Sequence, residues 1–521
     1  MSNALDEIVE GLDPWPGMIS VMAASRAPVL LALDIGSSGV RAALFDDEGN
    51  EIRGAGVRVD YPLDTLDFAN FDAEELLAHV TATLDALFAR FQDSTRSIEL
   101  IAISCFWHSL MGVDAAGTAT TPVFGWADTS GAPAIHELRS KFDEARVHAR
   151  TGCRFHPSYW PAKLHRLRQQ DPAAFRNTTR WLSFADYLTL QFFGETAASV
   201  SMASGTGLFD QRTCEWDGEL MEMLAVRVES LPEIASPQQT FNVLRPAYAA
   251  RWPQLSEARL FPAVGDGAAN NVGAGCIATD KVALMIGTSG AMRLSFKGDP
   301  LDQTPGELWS YRIDRDRIII GGALSDGGGL YKWIRESFLF GTDGETIESE
   351  LALLSPDSHG LTVLPFWSGE RSTGWNPDAR GGILGLKLQT RPIEILRATM
   401  EAIAYRFAMI ADALEPLAPN ARLIASGHAL RSSPTWMQML ADVLGRDMAL
   451  SELSEASMRG AALLALEAAG KIRTIEEFSV PVEMVFAPNL RRHEQYQAGL
   501  ERQQRIYKQL FTKTSDQKPG R

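Results

Sequence analysis

The sequence predicts an α/β fold built twice, as two lobes with a cleft between them. Three observations carry that expectation. The pentapeptide Ile35-Gly36-Ser37-Ser38-Gly39 returns in the second half as Ile286-Gly287-Thr288-Ser289-Gly290. Each copy lies between two apolar, strand-like runs, and each half continues with an amphipathic helix and a further buried strand. At 521 residues the chain also exceeds what a single hydrophobic core fills.

Taken in order, residues 29–33 and 40–45 read as strands joined by the first turn. Asp46-Asp47-Glu48-Gly49-Asn50 is a hairpin, and residues 51–61 are a third strand, completing an antiparallel meander. Residues 72–91 read as a helix with Asp72 as N-cap and Glu75 as its capping-box partner. Leu76, Leu77, Val80, Leu84, Leu87, Phe88 and Phe91 recur on one face. Residues 97–105 form a buried strand that ends at Phe106-Trp107-His108. Residues 112–261 mix loops and short helices and read as an elaboration that shapes a pocket. The pattern resets near Pro262: Gly265-Asp266-Gly267 opens a small-residue stretch to Cys276, and the second strand–turn–strand follows. Residues 391–414 form a helix, 422–425 a buried strand ended by Ser426-Gly427, and 434–444 a helix with proline where a missing N–H does no harm. Residues 457–469 form a small-residue helix, and the tail from 478 to 507 has no counterpart in the first half. The expected division is an N-terminal extension, 1–27; a first lobe, 28–278; a second lobe, 279–512; and a tail, 513–521.

Acidic residues outnumber basic ones, 65 to 49, with no basic block, which argues against nucleic acid as the main partner. Cys105, Cys153, Cys214 and Cys276 are too widely spaced for a zinc site or a disulfide framework. No apolar run reaches the roughly 18 residues of a membrane span, and the first 27 residues, broken by Pro14 and Pro16, lack a signal-peptide pattern. The expectation is a cytoplasmic protein with small-molecule partners and no membrane association; a homodimer stays open.

The repeated turn presents clustered N–H groups and hydroxyls from Gly36, Ser37 and Ser38, and again from Gly287, Thr288 and Ser289, which is the chemistry of a phosphate cradle. Asp34 precedes the first copy where Met285 precedes the second, so a metal or a transferred phosphoryl group is expected on the first side. Arg41 reads as a strand-end surface charge. Asp266, at a glycine-flanked helix start where it also reads as an N-cap, is placed to accept a substrate hydroxyl's proton. Trp107-His108, Trp126-Ala127-Asp128 and Tyr159-Trp160 supply the rings and polar groups of a sugar site. In the second half Gly321-Gly322, Gly327-Gly328-Gly329 and Gly427 allow close backbone approach to a flat ligand, with Ser432, Ser433 and Gln438 at its edge. Neither a Walker-type lysine loop nor a strand-linked Gly-x-Gly-x-x-Gly occurs.

These residues together resemble the FGGY carbohydrate kinases of the actin-like ATPase (ribonuclease H-like) superfamily. The resemblance runs over residues 29–469. It rests on Leu33-Asp34-Ile35-Gly36-Ser37-Ser38, Trp126-Ala127-Asp128, Gly265-Asp266, Gly287-Thr288-Ser289-Gly290, Ser368-Gly369-Glu370-Arg371 and the run from Ser426-Gly427 to Trp436-Met437-Gln438. It implies ATP and Mg²⁺ as cofactors, a sugar-binding first lobe (28–278) and a nucleotide-binding second lobe (279–512) that close on each other, Asp266 as catalytic base and Asp34 as metal-side carboxylate. It also implies sugar contacts from Trp107, His108, Asp128 and Lys163, and nucleotide contacts from both cradles with Gly328, Gly427, Ser432 and Gln438. Stretches such as His108-Ser109-Leu110-Met111-Gly112 are most similar to gluconate kinases. Ser130 stands where an arginine is usual, which leaves Lys163 as the partner for an aldonate carboxylate. The expected activity is ATP-dependent phosphorylation of a sugar or sugar-acid hydroxyl, gluconate-like first. The alternatives are a xylulose or polyol kinase, a catalytically silent binder of sugar and nucleotide, and a mechanical ATPase.

Overall fold

The computed structural model describes residues 29–61, 69–91, 98–339, 341–453 and 455–511. The expected N-terminal extension and the tail from 513 lie outside the described residues. The meander forms as read: β1 (Leu30–Ile35), β2 (Gly39–Phe45) and β3 (Glu51–Asp60). In its antiparallel register Asp34 faces Arg41 across β1 and β2. Helix α1 (Ala73–Arg90) starts at Asp72, whose side chain accepts from the Glu74 and Glu75 amides. Only half of the expected capping box forms, because the Glu75 carboxylate turns to His79, 3.9 Å away. Strand β4 (Leu100–Cys105) then pairs parallel with β1, and short strands Arg259–Leu260 and Val264–Gly265 extend the sheet beyond β4.

Helix α2 (Asp266–Gly273) leads into the second sheet, of β5 (Lys281–Ile286), β6 (Gly290–Lys297), β7 (Trp309–Arg312), β8 (Arg317–Leu324), β9 (Arg422–Ser426), β10 (Met448–Ser451) and β11 (Val482–Phe486). Its order is β7-β8-β6-β5-β9-β10-β11. Antiparallel β8, β6 and β5 followed by parallel β9 repeat the arrangement of β3, β2, β1 and β4. The duplication seen in two pentapeptides is therefore a duplication of the four central strands of each sheet. Helices α3 (Gly328–Phe338), α4 (Pro392–Leu414) and α5 (Pro434–Leu444) cover the second sheet.

Helix α6 (Ala456–Ala468) belongs to the second half of the chain but packs on the first sheet. Met458, Ala461, Ala462, Ala465 and Leu466 share a core with Leu30, Ala32, Leu100 and Ala102. It crosses α2 with the two backbones almost in contact: a Cβ on Gly460 would lie 1.8 Å from the Ala269 carbonyl, and one on Gly273 1.8 Å from that of Ala456. The small-residue composition of both helices is what lets them approach so closely. The tail ends in α7 (Leu490–Phe511), whose Tyr496 and Leu500 join the second core.

Candidate active site

Both repeated turns sit at strand ends with their tips partly open. In the first, the Gly36 amide donates to Gly39 O at 3.0 Å and the Tyr61 hydroxyl donates to Gly36 O at 3.1 Å. Asp34 below it is 5% exposed. One carboxylate oxygen accepts from the Ser104 hydroxyl at 2.8 Å and the other from Arg41 Nη1 at 3.1 Å. Arg41 is thus not the surface charge that the sequence suggests. The β1–β2 register aims it at Asp34, and its Nε lies 3.5 Å from Glu455, just before α6.

In the second turn Gly287 N–H donates to Ser289 O at 3.0 Å, and the start of α3 closes on it from below. The Gly328 and Gly329 amides donate to the carbonyls of Gly287 and Thr288 at 2.8 and 2.9 Å. A Cβ on Gly328 would lie 2.5 Å from Gly287 O, and one on Gly427, at φ 102°, 2.5 Å from Ile286 O. These glycines admit neighbouring backbone and hold the cradle in place; the close approach expected of a ligand is made by the protein itself. On the same side, Gln438 Nε2 donates to Asp442 and to the Ala487 carbonyl at 2.8 and 2.9 Å. Ser432 is exposed near the end of the loop, with its hydroxyl 3.5 Å from Ala429 O, whereas Ser433 caps α5.

Asp266 is the first residue of α2, and Gly265, not Asp266, is the N-cap. Its Oδ1 accepts from the Gly267 amide at 2.8 Å. The side chain keeps a partly open edge although protein surrounds it, and its pKa is raised: burial pushes it up, Arg293 on β6 opposes, and Asp34 adds to the rise. The flanking glycines have a local reason. Cβ atoms at Gly265 and Gly267 would lie 1.9 and 2.5 Å from the Trp107 indole. Trp107 therefore forms the platform under the Gly-Asp-Gly turn, with its Nε1–H donating to Ser201 O at 2.9 Å, rather than a ring open to a sugar.

His108 follows Trp107 with φ 71°, a conformation rare outside glycine. Its ring is fixed from both sides. Arg371 Nη2 can only donate, so Nε2, 3.0 Å away, is the accepting nitrogen, and Nδ1–H donates to Gly205 O at 2.5 Å. Burial and Arg371 both push its pKa well below the ordinary value, so it is neutral. Tyr159 and Tyr311 share a hydrogen bond of 2.6 Å beside this ring, and Tyr311 stacks on Trp309 with centroids 4.1 Å apart. Trp160 stacks instead on Trp216 inside the core of the elaboration and is not part of the pocket. Asp128 accepts from the Ser130 amide and hydroxyl through Oδ1, while its buried Oδ2 has no hydrogen-bond partner and faces Arg166 at 3.7 Å.

Lys163 is fully buried, and its Nζ donates to the carbonyls of His108, Phe124 and Gly125 at 2.7, 3.2 and 2.7 Å. Burial pulls its pKa down to about 7, but three acceptors match an ammonium and exceed the two protons of an amine. Its donors are engaged by the backbone, so it organises the His108 and Gly125 loops instead of reaching a substrate carboxylate. Lys163→Met is expected to lower stability by at least about 3 kcal/mol, because three buried carbonyls lose their donor; thermal unfolding measures it, and an unchanged melting temperature would contradict this role.

Sequence reasoning missed three second-lobe residues that pack against the Trp107–His108 and Gly-Asp-Gly turns: Arg293, Trp309 and Tyr311. Among the described residues, one His/Asp/Glu group has the spacing of a metal site, Asp357, His359 and Glu401. It is a closed ion-pair network: Arg502 holds Asp357, Arg397 and His359 hold Glu401, and the Leu361 amide donates to His359 Nδ1.

Two sheets with the same four-strand arrangement and a glycine-rich turn on each, with Asp266 opening the helix that links them, are the architecture of the actin-like ATPase type. The N- and C-terminal domains of the FGGY family of carbohydrate kinases match residues 29–273 and 282–469, and the chain belongs to that family. It is 27% identical to a gluconokinase of Bacillus subtilis (strain 168), over 86% of this chain and 89% of the relative. It is 26% identical to a xylulose kinase of Escherichia coli (strain K12), over 92% and 99%. A crystal structure of gluconate kinase from Lactobacillus acidophilus shares the fold with a TM-score of 0.82, at 24% identity over 93% of this chain and 98% of that one. The protein is a carbohydrate kinase, and ATP is the phosphoryl donor that the family implies. No helix among the described residues is long and apolar enough to cross a membrane.

Proposed function

We propose that this kinase transfers the terminal phosphoryl group of ATP to a hydroxyl of a sugar or sugar acid, gluconate-like first, in the cytoplasm. The observation that carries the reading is the setting of Asp266, at the head of α2 with Asp34 and Arg293 as its charged neighbours. Asp266 accepts the hydroxyl proton, and its raised pKa makes it a better base than an exposed aspartate. Gly36, Ser37 and Ser38 face the transferring phosphate and Gly287, Thr288 and Ser289 the departing nucleotide, with Gly328, Gly427, Ser432 and Gln438 on the nucleoside side. The indole of Trp107 positions Asp266, and His108 and Asp128 line the acceptor pocket.

Mg²⁺ fits at Asp34. The neighbouring carboxylates of Asp34 and Asp266 repel, which helps to raise Asp266, and a divalent cation there would neutralise phosphate charge and relieve that repulsion. Such an ion needs one or two carboxylates plus phosphates and water, not an all-protein cage.

A pentulose acceptor is the second reading, favoured by the xylulose kinase relatives at similar identity. ADP release measured with Mg·ATP and a panel of aldonates, pentuloses and polyols tests both. The expected result is release that depends on an aldonate. Release that ignores the acceptor would make the protein a mechanical ATPase, and no release with any acceptor a silent binder.

A further inference from the structure

Two guanidiniums are buried against the Trp107–His108 turn with donors left over. Arg293 and Arg371 are each 7% exposed. Arg293 Nε and Nη1 and Arg371 Nε are sealed from solvent without a hydrogen-bond acceptor. Among the described residues neither guanidinium forms an ion pair with a carboxylate. Asp266 is the charge that offsets Arg293, beyond ion-pair distance, while Arg371 has for its neighbours neutral His108, the tyrosines and further cations. Burying a charged donor without a partner costs more than the fold gains from it, so the arrangement points to a missing anion.

The two side chains converge from different directions. Arg293 comes from β6, three residues past the second cradle. Arg371 comes from the loop that Glu370 anchors: Arg406 and the Gly374 amide hold the Glu370 carboxylate, and His156 Nε2 lies 2.9 Å from the Glu370 carbonyl. These contacts fix the Arg371 backbone, and its Nη2 is engaged by His108 Nε2, 3.0 Å away. A Cβ on Gly267, next to Asp266, would lie 3.0 Å from Arg293 Nε and 2.5 Å from the Trp107 indole, while Arg371 meets His108, the residue after Trp107. The charged groups thus run from Asp34 through Asp266 and Arg293 to Arg371. Such a row offers a proton-accepting end and a cationic end.

We propose that Arg293 and Arg371 together hold the carboxylate of an open-chain aldonate while a hydroxyl further along the same chain meets Asp266. This rests on the kinase reading above and makes the sugar acid, not a neutral polyol or ketose, the substrate class. A guanidinium offers a planar fork matched to a carboxylate. A neutral acceptor of the same length leaves both forks unpaired, which is the kind of mismatch that an enzyme rejects strongly. It also supplies the cation that Ser130 and Lys163 do not.

The test compares D-gluconate with D-glucitol, the same carbon chain carrying CH₂OH in place of the carboxylate. ADP release is measured for the wild type, Arg293→Met, Arg293→Lys and Arg371→Met, and gluconate binding by calorimetry in the absence of nucleotide. The wild type is expected to prefer gluconate by about 10²-fold or more in kcat/KM. Each methionine variant should collapse that ratio by about 10²-fold, mainly through KM, and should lose calorimetric gluconate binding. Arg293→Lys, which keeps the charge without the fork, should fall between. A wild type that releases ADP more readily with glucitol or a pentulose overturns the inference and leaves the kinase reading intact. Variants that lose kcat equally with every acceptor would assign Arg293 to the transferring phosphoryl group and also overturn it. If no acceptor gives ADP release, the kinase reading fails, and calorimetry still decides: gluconate binding lost in Arg293→Met supports the anchor, and absent binding to the wild type refutes it. Should the methionine variants not fold, the wild-type ratio and Arg293→Lys carry the decision.

Discussion

Asp266→Asn is expected to lower kcat by about 10²–10⁴-fold, the range that a positioned general base supplies, and to raise thermal stability at the same time. The two effects share one cause. Burial raises the Asp266 pKa, with Arg293 opposing and Asp34 adding to the rise. The folded state therefore binds this proton more tightly than the unfolded chain does. Stability from this group is present below the ordinary carboxylate range and is lost as pH rises through the folded value. At neutral pH the ionised side chain is a burden on the fold, which the isosteric amide removes. Nucleotide binding should stay near normal, because neither cradle uses the Asp266 side chain, and the acid limb of the wild-type kcat profile should lie above the usual carboxylate range. Turnover, calorimetric ATP binding and melting temperature check the three parts; an active Asp266→Asn enzyme would remove Asp266 from the chemistry.

Much of this was readable in the chain. The pentapeptide repeat, the Asp34/Met285 asymmetry and the Gly-Asp-Gly turn are local signals, set by strand alternation and by turns that need glycine, and local signals survive in sequence. What was not readable depends on which residues meet across the cleft. Arg41 looks like a surface charge until the antiparallel register turns it onto Asp34. Trp107 reads as a sugar ligand from the aromatic and polar residues around it, and Lys163 as a carboxylate partner because Ser130 stands where an arginine is usual. Only the tertiary fold reveals that the indole lies on Gly265 and Gly267 and that the ammonium is enclosed by three carbonyls. The cationic wall was sought in the first half because the sugar side was assigned there; Arg293 and Arg371 come from the second. The glycines of α3 and Gly427 looked like openings for a ligand, and the space beside them is filled by the cradle's own backbone.

The contact between α2 and α6 gives the second large expected effect. Gly460→Ala should both lower the melting temperature and reduce kcat, although residue 460 lies on a helix remote in sequence from every group assigned to catalysis. The new methyl would start 1.8 Å from the Ala269 carbonyl, a distance at which backbone must move, since no flexible side chain is there to yield. Overpacking of that kind costs about 1–3 kcal/mol or more. The relief available is a displacement of α2 against α6, and α2 carries Asp266 in its first turn. A shift of about 1 Å at a reacting group costs on the order of 10²-fold in rate, so the loss of turnover should exceed what partial unfolding alone accounts for. Gly218→Ala is the matched control. Gly218 also lies in a helix, yet a Cβ there meets nothing within 4 Å, and the change should leave both measurements where they are or raise stability slightly. If Gly460→Ala lowers the melting temperature but the folded fraction keeps full kcat, α6 supports the fold without setting the position of Asp266. If kcat falls with KM for ATP unchanged, the crossing of the two helices is what holds the base against the cradles.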